Sequence, residues 1–132
     1  MSRTKEILVI DDNEDIGEVV RAVAERAKMS CTVTTSVDAF LAALTAETDL
    51  IFLDMKMPEM NGREMMELLA VHHCSAGIVL MSGLGSSVLG AAEGYGRGLG
   101  LKMVGTLPKP FRVAELSELL RKQGGGRAAF LG

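Results

Sequence analysis

Tryptophan is absent from this chain of 132 residues, tyrosine occurs once, and aromatic residues make up only 4% of it. That removes the stacking platforms on which single-stranded nucleic acids are held. Neither charge sign forms a block: 14 basic and 17 acidic residues are interspersed, for a net charge of −3, which argues against an electrostatic grip on nucleic acid. No apolar run approaches the length of a membrane span. The polar start, Met1-Ser2-Arg3-Thr4-Lys5-Glu6, leads into too few apolar residues for a secretory signal, so a cytoplasmic protein without a membrane partner is expected. The two cysteines, Cys31 and Cys74, show neither CxxC nor Cys/His ligand spacing and read as reduced, partly buried small hydrophobes.

What the chain does have is regular alternation. Lys5–Ile10 reads as a strand, followed by a helix capped by Asn13 with Ile16, Val19, Val20, Val23 and Ala27 on its apolar face. Cys31–Thr35 is a polar, edge-type strand, and Ser36 caps a helix bearing Phe40, Leu41 and Leu44. Leu50–Leu53 is four apolar residues between Asp49 and Asp54, the pattern of a strand buried on both faces. Gly62–His73 is a helix with Met65, Met66, Leu68 and Leu69. A strand at Gly77–Met81, a weaker helix at Ser86–Leu99, a strand at Lys102–Leu107 and a helix at Arg112–Lys122, buried through Val113, Leu116, Leu119 and Leu120, complete the series. Five βα units in tandem predict an α/β, flavodoxin-like fold: a doubly wound five-stranded parallel sheet of order 2-1-3-4-5 with helices on both faces. Residues 1–123 form the domain, and 124–132 read as a flexible glycine-rich tail.

Parallel strands carry their carboxyl ends to one edge, and polar residues sit there: Asp11 and Asp12 after the first strand, Asp54 after the third, Ser82 after the fourth, Lys109 after the fifth. Met57-Pro58 and Asn61-Gly62 make the segment after Asp54 a loop. Crowded carboxylates repel and raise one another's pKa unless a cation is present. A cluster rich in oxygen and free of thiol and imidazole suits a hard ion such as Mg²⁺. Lys109 adds a point charge and Ser82 a hydroxyl donor, the groups phosphoryl transfer needs for positioning and charge neutralisation. Asp54 is the candidate nucleophile, with an aspartyl phosphate as product. Taken singly, Asp11 and Asp12 could cap a helix, Ser82 could be a turn residue and Lys109 a solvated charge. His72 and His73 are explained by favourable placement near a helix carboxyl end.

With Asp11-Asp12, Asp54 followed by Met57-Pro58-Glu59-Met60-Asn61-Gly62, Met81-Ser82-Gly83 and Lys109-Pro110-Phe111 all in register, residues 5 to 122 resemble a response-regulator receiver domain of the two-component family. The resemblance implies Asp54 as phosphoacceptor, Asp12 as a direct Mg²⁺ ligand, Asp11 as a ligand mostly through water, and the Lys56 backbone carbonyl as a further ligand. It implies Ser82 and Lys109 on the phosphoryl oxygens, and a cis Lys109-Pro110 bond. The donor would be a histidine kinase or a histidine phosphotransfer protein. The chain would catalyse only its own phosphorylation and dephosphorylation, and its output would be a downstream protein docked on the fourth helix, fifth strand and fifth helix, a switch or partner surface to which Thr106, Tyr95 and Pro110 are assigned. A stand-alone receiver is expected, a relay intermediate or a piece of a longer protein being the alternatives.

Two departures stand out. Receivers resembling this one carry Tyr or Phe three positions before the lysine; here Thr106 stands there, so the aromatic relay lacks its ring. Gly90, Gly94, Gly96, Gly98 and Gly100 fall in or just after the fourth helix, each interior glycine costing about 1 kcal/mol relative to alanine. That predicts a marginal helix, poorly ordered without phosphate and better ordered with it. Two other functions stay open: a receiver-like interaction module that is never phosphorylated, and an aspartate-nucleophile phosphatase of the haloacid-dehalogenase type. The latter resembles Asp-x-Asp at its nucleophile, where this chain has Asp54-Met55-Lys56.

Overall fold

The computed structural model describes residues 3–123; the glycine-rich tail expected at 124–132 lies outside the described residues. The elements alternate without interruption: β1 (Glu6–Ile10), α1 (Glu14–Arg26), β2 (Ser30–Thr34), α2 (Val37–Ala43), β3 (Leu50–Asp54), α3 (Gly62–Val71), β4 (Gly77–Ser82), α4 (Ser86–Gly98), β5 (Lys102–Pro108) and α5 (Val113–Lys122). All pairings between the five strands are parallel and the order is β2-β1-β3-β4-β5, as the βα alternation predicts.

Every residue of β3 and β4 is buried, so the sheet separates two cores that share one set of strands. Leu8, Ile10, Ile51, Leu53, Ile78 and Leu80 point to one face, where α2, α3 and α4 bring Phe40, Met65, Met66, Leu69 and Leu89. Ile7, Val9, Phe52, Val79 and Met81 point to the other, where α1 and α5 bring Val20, Val23, Ala24, Leu116 and Leu120. This is the period of two expected along a strand covered on both sides.

Three predicted apolar-face positions point outward, Leu41 of α2 among them. Val19 is 38% exposed because α1 meets β2 through Gly17, where an added Cβ would fall 2.3 Å from Val33 Cγ1. That contact turns Val20, Val23 and Ala24 to the sheet and Val19 away from it. Val113 is 49% exposed: it is the first residue of α5, which is buried only from its second turn on, at Leu116 and Leu120. Leu119 is half-buried against Gly105.

The fourth helix is formed over Ser86–Gly98, with only Leu89 and Gly96 buried and no side chain capping its start at Gly85, whose φ is +107°. A Cβ at Gly90, Gly94 or Gly98 would meet nothing, whereas at Gly96 it would collide with Met103 Sδ at 2.5 Å. Gly96 therefore permits close packing, and the other three only weaken the helix.

At the amino edge of the sheet, Asp49 binds Arg3 through two contacts of 2.8 and 2.9 Å and accepts the Glu6 amide at 2.8 Å. Both cysteines are free and half-buried; burial pushes the Cys31 thiol up to about 12 and raises that of Cys74. Among the described residues, no helix is long and apolar enough to cross a membrane.

Candidate functional site

The carboxyl edge gathers the residues in an order set by topology. β1 and β3 are neighbours, so the loop after Ile10 delivers Asp11 and Asp12 beside Asp54, the last residue of β3. β5 lies one strand beyond β4, and the turn after Pro108 brings Lys109 back over them; the Lys109 amide donates to the Ser82 carbonyl at 2.8 Å, and the Lys109-Pro110 bond is cis. Asp11, Asp12, Asn13, Asp54, Lys56, Met57, Pro58, Gly83 and Lys109 line one open cleft of about 480 Å³.

Asp11 is fully buried and held at both oxygens: Oδ1 accepts the Asn13 amide at 2.9 Å, and Oδ2 lies 2.6 Å from Lys109 Nζ. Asn13 has a second task, its side chain accepting the Asp15 amide to cap α1. The Asn13 amide is a site contact that the cap signal alone does not show, although an Asp-x-Asn segment is a recognisable side-chain-to-backbone turn. Asp54, 4% exposed, accepts the Lys56 amide at 3.2 Å and lies 3.5 Å from Lys109 Nζ. Asp12 is exposed at the mouth.

One lysine thus faces two buried carboxylates, with a third alongside. Burial, and then the Asp11 carboxylate, push the Asp54 carboxyl up to about 6, while the Lys56 amide and Lys109 pull the other way. Oxygens of Asp11, Asp12 and Asp54 lie within 4.8 Å of one another, so the cluster could hold a metal ion. Of the two lysines that line the cleft only Lys109 is in ion-pair contact with the carboxylates, so negative charge stays in excess among them, which a divalent hard cation with oxygen ligands neutralises. The residues present fit such an ion.

Ser82 is 2% exposed at the end of β4, and its Oγ accepts the Leu84 amide at 2.9 Å; Gly83, the next residue, lines the cleft. The three residues assigned to a switch surface are dispersed. Thr106 is half-buried and faces a separate groove between β5 and α5 with Glu115 and Leu119. Pro110 is exposed beside Lys109. Tyr95, near the end of α4, reaches across to α3, where its hydroxyl donates to Glu67. His72 closes α3 as its carboxyl-terminal cap, and His73, with φ +55°, leads the chain away.

The chain is 28% identical over 116 residues to the Escherichia coli transcriptional regulatory protein CusR, covering 87% of this chain and 49% of that protein. It is 29% identical over 113 residues to the Klebsiella pneumoniae DNA-binding transcriptional regulator NtrC, covering 85% and 23%. It therefore spans about half the length, or less, of these curated relatives. In structure it is similar to a response regulator from Colwellia psychrerythraea, with a TM-score of 0.79, 28% identity, and 92% of this chain and 98% of that one covered. The chemotaxis response regulator CheY4 of Vibrio cholerae has the same fold, with a TM-score of 0.76, 22% identity, and 92% and 99% covered. The model of the response regulator receiver domain matches residues 7–121, nearly the whole of the five-unit fold and all of the acidic edge, and the chain belongs to that family.

Proposed function

We propose that this receiver takes a phosphoryl group onto Asp54 from a phosphohistidine of a histidine kinase or a histidine phosphotransfer protein, and signals through a protein partner. The observation that carries the reading is the convergence of Asp11, Asp12, Asp54 and Lys109 on one open cleft at the sheet's topological switch point. In the transfer, an Asp54 carboxylate oxygen attacks phosphorus, the donor P–N bond breaks, the imidazole leaves with its electron pair and takes a proton, and an aspartyl phosphate remains. Lys109, 3.5 Å from Asp54 Oδ1, neutralises charge on the incoming oxygens. Ser82 can offer its hydroxyl proton to the same group while Oγ keeps accepting from Leu84. Asp11, Asp12, Asp54 and the Lys56 carbonyl would hold Mg²⁺, which would supply charge neutralisation across the phosphoryl oxygens.

Thr106 favours the second reading, an interaction module that works unphosphorylated, because no ring on β5 can report the state of the site. A phosphatase of the Asp-x-Asp type is disfavoured by Lys56, which puts a cation where that chemistry needs an acid. Intact mass after incubation with acetyl phosphate and Mg²⁺ separates these. One added phosphoryl group, lost in Asp54→Asn and in chelator, is the expected result; no adduct at any time point would replace the proposal with the interaction module.

A further inference from the structure

The seam between α3 and α4 carries a polar cluster for which the phosphoryl site has no use. The Tyr95 hydroxyl on α4 donates to Glu67 Oε2 on α3. Arg63, one turn before Glu67, stands over the Tyr95 ring with Cζ 4.8 Å from its centroid, and its Nε lies 3.5 Å from Glu67. A phenol, a carboxylate and a guanidinium thus satisfy one another across two helices, a geometry in which hydrogen bond and cation–π contact reinforce each other.

The helix that this cluster holds is otherwise lightly packed, with Ala92 and Tyr95 half-buried against the core. Only Leu89 and Gly96 of α4 are buried, its start has no side-chain cap, and Gly90, Gly94 and Gly98 lower its propensity without packing against anything. Its amino end is tied to the acidic cleft by a short path. The Leu84 amide, just before the Gly85 cap, donates to Ser82 Oγ, and Ser82 follows Met81, the residue paired with Asp54 in the sheet. Displacement of the Ser82 side chain toward a group on Asp54 therefore pulls on the residue that enters α4.

We infer that Tyr95, Glu67 and Arg63 form a latch that holds α4 against α3 in the phosphate-free protein and opens when the cleft is phosphorylated, the reverse of the ordering on phosphorylation that the glycine content of α4 suggests. The first half stands on the geometry alone; the second rests on the Asp54 reading. Linkage then requires that weakening the latch favour the modified state, because whatever phosphorylation opens must oppose phosphorylation when closed.

Amide exchange through residues 86–100 of the full chain, in chelator, tests the first half. Tyr95→Phe removes only the hydroxyl and should accelerate exchange there about three- to tenfold, the factor of a single net hydrogen bond, with the strands unchanged. Glu67→Gln should act in the same direction, and the double variant should do no more than the larger single one. Gly94→Ala, whose Cβ meets nothing, should slow exchange about fivefold. Unchanged exchange in Tyr95→Phe, or additive effects in the double variant, would overturn the latch, with Gly94→Ala as the control for helix propensity alone.

Tyr95 is the chain's one tyrosine and there is no tryptophan, so its emission reads the second half directly. A carboxylate bonded to a phenol quenches that emission, and beryllofluoride with Mg²⁺ should raise it while Asp54→Asn stays dim. Constant emission in a protein that forms the Asp54 adduct overturns the opening. Absence of the adduct counts against Asp54 as acceptor instead, and leaves the exchange result to decide whether the latch exists.

Discussion

Strand β3 is bracketed by two aspartates, Asp49 just before it and Asp54 at its end, and the two titrate in opposite directions. Partial burial alone would raise the Asp49 carboxyl, but the Glu6 amide and the Arg3 guanidinium outweigh it and hold the group below the usual carboxylate range. Asp54 is buried beside a second carboxylate and shares Lys109 with it, so its carboxyl rises to about 6. The amino edge of the sheet satisfies its acid; the carboxyl edge leaves its acids short of positive charge. That imbalance is poor for folding, and it is what makes the carboxyl edge, rather than the amino edge, the candidate cation site.

The two aspartates should differ most in their chemistry. Asp54→Asn should lose phosphoryl incorporation from acetyl phosphate by at least about 100-fold by intact mass, the scale of removing a nucleophile rather than a contact. Asp49→Asn should incorporate at the rate of the parent protein. Next in size, Lys109→Met leaves the buried carboxylates unpaired and should cost about 2–4 kcal/mol in urea unfolding with chelator present, part of it recovered on adding Mg²⁺.

The pH dependence then carries opposite signs at the two ends. A carboxyl raised in the fold binds its proton more tightly there than in the unfolded chain. Its contribution is thus fully present below about pH 4 and lost as pH rises through about 6. Metal-free Asp54→Asn should accordingly gain on the parent protein by up to about 2 kcal/mol between those limits, measured by unfolding across pH. Asp49 is lowered, so its contribution is present above the ordinary carboxylate pKa and lost as pH falls through its folded value. Asp49→Asn should cost about 1 kcal/mol at pH 7, discounted for a partly solvated pair, and nothing at the acid end of the same series. Parallel pH profiles for the two variants would remove the contrast.

Much of this site was legible in the sequence because topology does the arithmetic. Once strands alternate with helices and run parallel, Asp11, Asp12, Asp54 and Lys109 must reach one edge whatever the details of packing. The cores were legible for the same reason at β3 and β4, where burial on both faces leaves nothing to decide. Periodicity names a helix face but neither the exact rotation of that face, which Gly17 sets at Val19, nor which turns are covered, and so Val19 and Val113 stand exposed where the spacing assigns them to the core. Helix propensity counts each glycine of α4 alike, whereas Gly96 alone is pressed against Met103, a contact set by strand β5. The Tyr95 bond to Glu67 joins positions 28 apart, and the Ser82 bond to Leu84 depends on one rotamer; neither distance leaves a periodic trace.

The half-buried cysteines leave the native chain open to selective labelling elsewhere. A thiol is a nucleophile only as thiolate, and burial holds Cys31 up to about 12 and Cys74 above its ordinary value, so both react more slowly than an exposed cysteine. A cysteine introduced at an exposed α4 position such as Gly90 or Gly94 would out-compete both for a maleimide or a spin label. The native chain, with no cysteine removed, is already a selective scaffold for attaching a reporter to the helix whose movement is in question.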